Sequence, residues 1–131
     1  MAEYFAWDQS YDLGVREMNQ EHKQLISLMN RLHEEYSAKA DRSVLKQCVE
    51  SLVDYTMEHF RDEEEYMARI QYPKLETHKI IHADLIRKLQ GHVQSFKTEG
   101  QLKQEFFDFL QLWLSAHIRG IDMQYAQHSK A

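Results

Sequence analysis

Four stretches of this chain repeat their apolar residues at threes and fours, and three breaks separate them. The first runs through His22, Leu25, Met29, Leu32 and Tyr36, and the second through Leu45, Cys48, Leu52, Thr56, His59 and Glu63. The third carries Leu75, His78, Ile81, His82, Leu85, Leu89, Val93 and Phe96. The fourth carries Leu102, Phe106, Phe109, Leu110, Trp113, Leu114, His117 and Ile121. Each is the signature of an amphipathic helix with one buried stripe. Asp41 marks the first break and serves as a candidate N-cap for the second helix, as Asn19 does for the first. Pro73, the only proline, and Gly100 mark the other two breaks. Short connections between four such helices predict an all-α, up-down-up-down antiparallel four-helix bundle. Residues 1–18 break the pattern: Trp7, Tyr11, Leu13 and Val15 have no helical period and Gly14 interrupts them. They read as an extended N-terminal arm lying across a bundle formed by residues 19–128, all within one domain spanning 1–131.

Composition narrows the function. A formal net charge of −5 with no dense Lys/Arg cluster argues against a nucleic-acid or anionic-membrane partner. The N-terminus lacks the apolar run of a secretory signal and no stretch approaches a membrane span, so the chain is expected to be cytoplasmic. Cys48 is the only cysteine, which rules out an internal disulfide and reads as a buried core thiol. Eight histidines are many for a chain of 131 residues, and they do not form a run.

Five of them fall into a pattern. His59 and Glu63 lie four apart on the second helix, as do His78 and His82 on the third, so each pair shares one face, in register with the apolar stripe. In an antiparallel hairpin, residues equidistant from the turn face each other. His22 and His59 are centred between Ala40 and Asp41. Glu63 with His78, and His59 with His82, are both centred between Ile70 and Gln71. His82 and His117 are centred between Glu99 and Gly100. The three turns therefore set these side chains in one layer. Asp122 comes five residues after His117, about 140° around a regular helix. A local π-type widening near Gly120 is expected to bring it inward.

Five imidazoles (His22, His59, His78, His82, His117) and two carboxylates (Glu63, Asp122) suit a borderline first-row metal better than calcium or magnesium. If both carboxylates bridge a pair of ions, and a solvent-derived oxygen bridges as well, five histidines can only divide three and two. One ion is then six-coordinate. The other is five-coordinate, with a place for a small molecule. His33 is expected at the bundle interior or rim, and His92 and His128 at the surface. From the acidic run Asp62–Glu65, only Glu63 shares the face of His59.

Taken together, Gln20-Glu21-His22-Lys23, His59-Phe60-x-x-Glu63-Glu64, His78-x-x-x-His82 and His117-Ile118-x-x-Ile121-Asp122 resemble the hemerythrin family, as does Trp7-Asp8 fifteen residues before His22. The likeness spans the whole chain, and one departure is Asn19, where bacterial relatives often have aspartate. It implies two iron ions with a bridging oxo or hydroxo group. His78, His82 and His117 would ligate the six-coordinate iron and His22 and His59 the five-coordinate one, with Glu63 and Asp122 as bridges. It implies reversible dioxygen binding by a non-enzymatic carrier, store or delivery protein, monomeric, with an oxygen-consuming protein as recipient. Trp113 and Leu114, one turn before His117, resemble the apolar wall of the oxygen pocket.

Rivals are weaker on the sequence. A ferritin-like di-iron enzyme uses Glu-x-x-His, and no histidine here has a glutamate three residues before it. An oxygen or redox sensor of the same family usually carries a signalling domain, and nothing here extends beyond the bundle. A peroxide or nitric-oxide scavenger would use the same ligands, and a structural zinc protein would lack visible colour.

Overall fold

All four periodic stretches are helical, except that Leu102 lies before the fourth helix begins at Gln104, and among the described residues there is no strand. The structure is a computed structural model that describes residues 4–130; residues 1–3 of the expected arm, and Ala131, lie outside the described residues. The helices are α1 (Arg16–Ser37), α2 (Arg42–Arg69), α3 (Leu75–Glu99) and α4 (Gln104–Ala116). The last runs on through a π-helical segment (His117–Asp122) into α5 (Met123–Lys130), so the three form one fourth helix of a four-helix bundle.

The turns explain how the layer is set. Gly100 ends α3 in the left-handed conformation (φ 74°), as expected of the residue that permits it without strain. The other two turns use no glycine. Lys39 (φ 58°) and Gln71 (φ 56°) take the left-handed position instead. At each, paired backbone bonds close a Schellman motif: Ala40 to Glu35 with Lys39 to Tyr36, and Tyr72 to Met67 with Gln71 to Ala68. At the end of the bundle holding the first and third turns, Arg42 donates to the Lys97 carbonyl at 2.7 Å.

Two expectations need correction. The arm is shorter than 1–18, because α1 already begins at Arg16; and it is not extended throughout, because Gln9–Tyr11 form a 3₁₀ turn. Asn19 lies inside α1 and is not its N-cap. Its side chain accepts from the Leu13 N–H at 3.0 Å and donates to Asp12 at 2.8 Å, tying the arm to the helix. Asp41 does precede α2, but its side chain makes no capping bond.

The arm is well anchored. Phe5 and Leu13 are buried, and Asn30 holds the Phe5 backbone with two bonds of 2.8 Å. Arg119 donates to the Ser10 hydroxyl at 2.7 Å and lies over the Tyr11 ring. Burial of Phe5 and Leu13 stabilises the docked arm by roughly 1.5–3 kcal/mol each. Between the helices, Leu32, Leu52, Leu89, Phe96, Phe106 and Leu110 fill one part of the interior, and Cys48 is buried among them as a free thiol. His22, His59, His78, His82 and His117 share the remaining interior with apolar residues such as Leu25, Met67 and Tyr125. No helix among the described residues is long and apolar enough to cross a membrane.

Candidate metal centre

His22 comes from α1, His59 and Glu63 from α2, His78 and His82 from α3, and His117 and Asp122 from the π segment. All seven are buried, none more than 4% exposed. The amphipathic stripes bring them together as expected. On α2, Thr56 completes the stripe one turn before His59 and satisfies its own hydroxyl on the Leu52 carbonyl at 2.7 Å. The π segment covers His117 to Asp122, and both ends of it face the same interior: His117 Nε2 and Asp122 Oδ1 are 2.9 Å apart.

The two carboxylates divide their oxygens in the same way. Glu63 Oε1 lies 2.9 Å from His82 Nε2 and 3.4 Å from His78 Nε2, whereas Oε2 lies 3.4 Å from His22 Nε2 and 3.5 Å from His59 Nε2. Asp122 Oδ1 faces His78 (3.1 Å) and His117 (2.9 Å), and Oδ2 faces His22 (3.1 Å). Three histidines therefore gather on one side of the carboxylate pair and two on the other. Donor atoms of Glu63, His78, His82, His117 and Asp122 converge within 4.8 Å of one another, and those of His22, His59 and Glu63 do the same.

Several of these atoms have no hydrogen-bond partner: Nε2 of His22, His78 and His117, and both oxygens of Asp122. A buried polar group left unpaired costs about 1–3 kcal/mol. A concentration of them in one core layer fits a site built for cations. The charges agree. Burial pushes His59 down, but the Glu63 charge and Glu21 outweigh it and lift the imidazole to about 10. Burial likewise opposes His117, which Asp122 lifts to about 10. Burial and the Glu63 charge push Asp122 up, yet His117 and His22 hold it below the usual carboxylate range. Burial also raises Glu63, and His59, His117 and His22 overcome it. Without metal, His59 and His117 are imidazolium groups beside the Glu63 and Asp122 carboxylates; with metal, their protons must leave.

Sequence reasoning overlooked two carboxylates behind the histidines. His59 Nδ1 donates to Glu21 at 2.6 Å, and His82 Nδ1 donates to Glu64 at 2.8 Å. Such bonds fix the ring orientation so that Nε2 faces inward and, once its proton is lost, offers its lone pair to a metal. Glu21 adjoins His22 and Glu64 adjoins Glu63, but each serves a histidine on the neighbouring helix. Of the acidic run Asp62–Glu65, Glu63 alone shares the face of His59, but Glu64 also takes part through His82. Tyr125 was also missed. It is fully buried and its hydroxyl donates to Glu63 Oε2 at 2.8 Å.

Trp113 and Leu114 are buried. Trp113 meets Phe60 edge-on at 5.9 Å, and Phe60 lies flat on His82 at 3.8 Å. The Trp113 indole N–H has no partner, so this wall is not wholly apolar. The remaining histidines stay apart from the cluster. His33 is half-buried, stacked on Tyr4. His92 and His128 are half-buried rather than exposed: His92 packs on Phe106 and Phe109, and His128 on Tyr72.

The hemerythrin HHE cation binding domain matches residues 13–128 of the chain. The chain belongs to the hemerythrin family. The family's domain binds a di-iron centre, and the histidine and carboxylate layer of this hemerythrin suits two metal ions. It is similar to the bacteriohemerythrin of Stenotrophomonas maltophilia (strain R551-3), with 32% identity over 125 residues, covering 95% of this chain and 81% of that protein. The bacteriohemerythrin of Clostridium acetobutylicum is 32% identical, with 92% and 98% covered. A hemerythrin-like protein of Naegleria gruberi is 33% identical over 92% of this hemerythrin and 90% of its own length. Among solved structures, a wild-type hemerythrin superposes with a TM-score of 0.86 at 26% identity, covering 97% of this chain and 98% of that one.

Proposed function

We propose that this hemerythrin binds dioxygen reversibly, as a carrier, store or delivery protein, and not as an enzyme. The observation that carries the reading is the uneven division of histidines about two carboxylates that each face both groups. His78, His82 and His117 would hold one iron and His22 and His59 the other, with Glu63 and Asp122 shared between them and an oxo or hydroxo group completing the bridge. When bound, the iron pair would supply the electrons for binding dioxygen, and the group held by His22 and His59 would leave a place for it.

The protein's part is to hold the donors and keep competing reagents out. Glu21 and Glu64 orient His59 and His82. Phe60 packs beside both His59 and His82 and meets Trp113, and with the buried Leu114 these side chains would form an apolar wall over the donor layer that excludes water and stray proton donors. A ligand set with only two carboxylates stabilises high oxidation states less than a carboxylate-rich one does, which favours release of oxygen over its activation. An oxygen-consuming protein is the partner such a carrier would serve, in the cytoplasm and from a monomer.

The test is a visible spectrum of anaerobically reduced, iron-loaded protein before oxygen, after oxygen, and after oxygen removal. A band that appears and then disappears over repeated cycles supports the reading. Irreversible oxidation on the first exposure, or turnover of added reductant with consumption of oxygen, overturns it.

A further inference from the structure

The two shared carboxylates are not held alike. Among the described residues, the oxygens of Asp122 face only the ligand imidazoles of His22, His78 and His117. Glu63 has a dedicated hydrogen-bond donor in Tyr125, whose hydroxyl donates to Oε2 at 2.8 Å. That oxygen faces His22 and His59, the side with fewer histidines. The ring of Tyr125 is wedged among Tyr66, Tyr72 and His78, with centroids at 5.6, 6.4 and 5.8 Å, and the residue is fully buried. It has little freedom to move its hydroxyl elsewhere. Tyr125 lies three residues beyond Asp122, so the same helical phase that turns Asp122 inward also turns Tyr125 inward.

We propose that Tyr125 is a positioning residue for the metal pair: its hydroxyl pins Glu63 Oε2 so that Glu63 spans both histidine groups. A free Glu63 side chain could swing both oxygens to the three-histidine side, where His82 already attracts Oε1 at 2.9 Å. The two-histidine group would then lose its nearest α2 carboxylate. The inference rests on reading the seven donors as metal ligands, and goes beyond it in giving a residue outside that set control over the weaker side.

Cobalt(II), a first-row ion that accepts nitrogen and oxygen donors and reports its coordination by colour, is titrated anaerobically into metal-free wild type, Tyr125→Phe and Tyr72→Phe. Tyr125→Phe keeps the ring and removes only the O–H. Wild type and Tyr72→Phe are expected to take up two ions alike. Tyr125→Phe is expected to bind its weaker ion roughly tenfold less tightly, the scale at which outer partners of metal ligands act. Its visible bands for that ion should change while those of the tighter ion stay put. Equal affinities and spectra in Tyr125→Phe and wild type would overturn the proposal. Uptake of fewer than two ions by wild type would instead remove the paired-metal reading, and this inference with it. In unsubstituted protein, cobalt loading should shift a slowly exchanging Tyr125 hydroxyl proton in the NMR spectrum. Absence of any such proton contradicts the bond independently of how the variants fold.

Discussion

His59 and Glu63 on α2, and His117 and Asp122 on the fourth helix, present the same kind of ligand pair from two different backbones. On α2 the spacing is four, a regular helix suffices, and the pair sits in the ordinary apolar stripe. On the fourth helix the spacing is five, and the chain widens into a π segment over His117–Asp122. The wide turn has poorer hydrogen-bond geometry than an α-turn, but it shifts the phase of the helix beyond it. Asp122, Tyr125 and Ala126 all become buried, where a regular helix would carry Asp122 about 140° away from His117. A regular helix gives a site two groups per pair of turns. The widened one adds a third, the tyrosine on Glu63, and it also offers Arg119 to the N-terminal arm.

The largest effect expected is loss of metal, and it should differ between the two helices. Both carboxylates face both histidine groups, but on the two-histidine side Glu63 faces His22 and His59 whereas Asp122 faces only His22. Glu63→Ala should reduce iron from two per chain to one or none. Asp122→Ala should keep one iron held and lose the other. Metal analysis of purified protein decides, and two tightly held irons in either variant would break the scheme.

The next effect is on pH, and here the two helices should agree. His59 and His117 are both lifted to about 10 in the absence of metal, so each is protonated at neutral pH and must release its proton to bind. Metal affinity should therefore rise with pH up to about 10, by about tenfold per unit for each proton displaced. A pH-stat at pH 8 should record acid release on loading. No release would mean the imidazoles are already neutral.

Leu114 sits on the regular part of the fourth helix just before it widens, and is 1% exposed. Leu114→Ala should cost about 2–5 kcal/mol by chemical denaturation and speed autoxidation of the reduced, oxygenated protein. An unchanged autoxidation rate would remove Leu114 from the oxygen pocket. The smallest effect concerns Gly120. A Cβ there would meet nothing within 4 Å, and its backbone is not in the left-handed region. Gly120→Ala should therefore leave the site intact and stabilise by about 0.4–1 kcal/mol. Destabilisation would mean that the widening depends on glycine rather than on the inward pull of His117 and Asp122.

Much of this is legible in the sequence, because helical period and turn midpoints are geometric. The four helices, the layer of seven donors and the need for a wide turn before Asp122 all come from spacing. Spacing does not carry contact between neighbouring helices. Glu21 and Glu64 look like solvent-facing residues on their own helices, and only the partner helix reveals the imidazole each accepts from. Tyr125 lies beyond a phase change whose extent the sequence does not state. The turns at Lys39 and Gln71 give no signal because left-handed residues other than glycine are rare. Asn19 has the chemistry of a cap, and only the docked arm shows that it bonds Leu13 and Asp12 instead.

The central claim is that seven buried donors hold two irons unevenly. Crystals of the iron-loaded protein, measured at the iron absorption edge, test it directly. Two anomalous peaks are predicted, one ligated by His78, His82 and His117 and one by His22 and His59, with Glu63 and Asp122 touching both. A single peak, or two peaks with equal numbers of histidines, would contradict it.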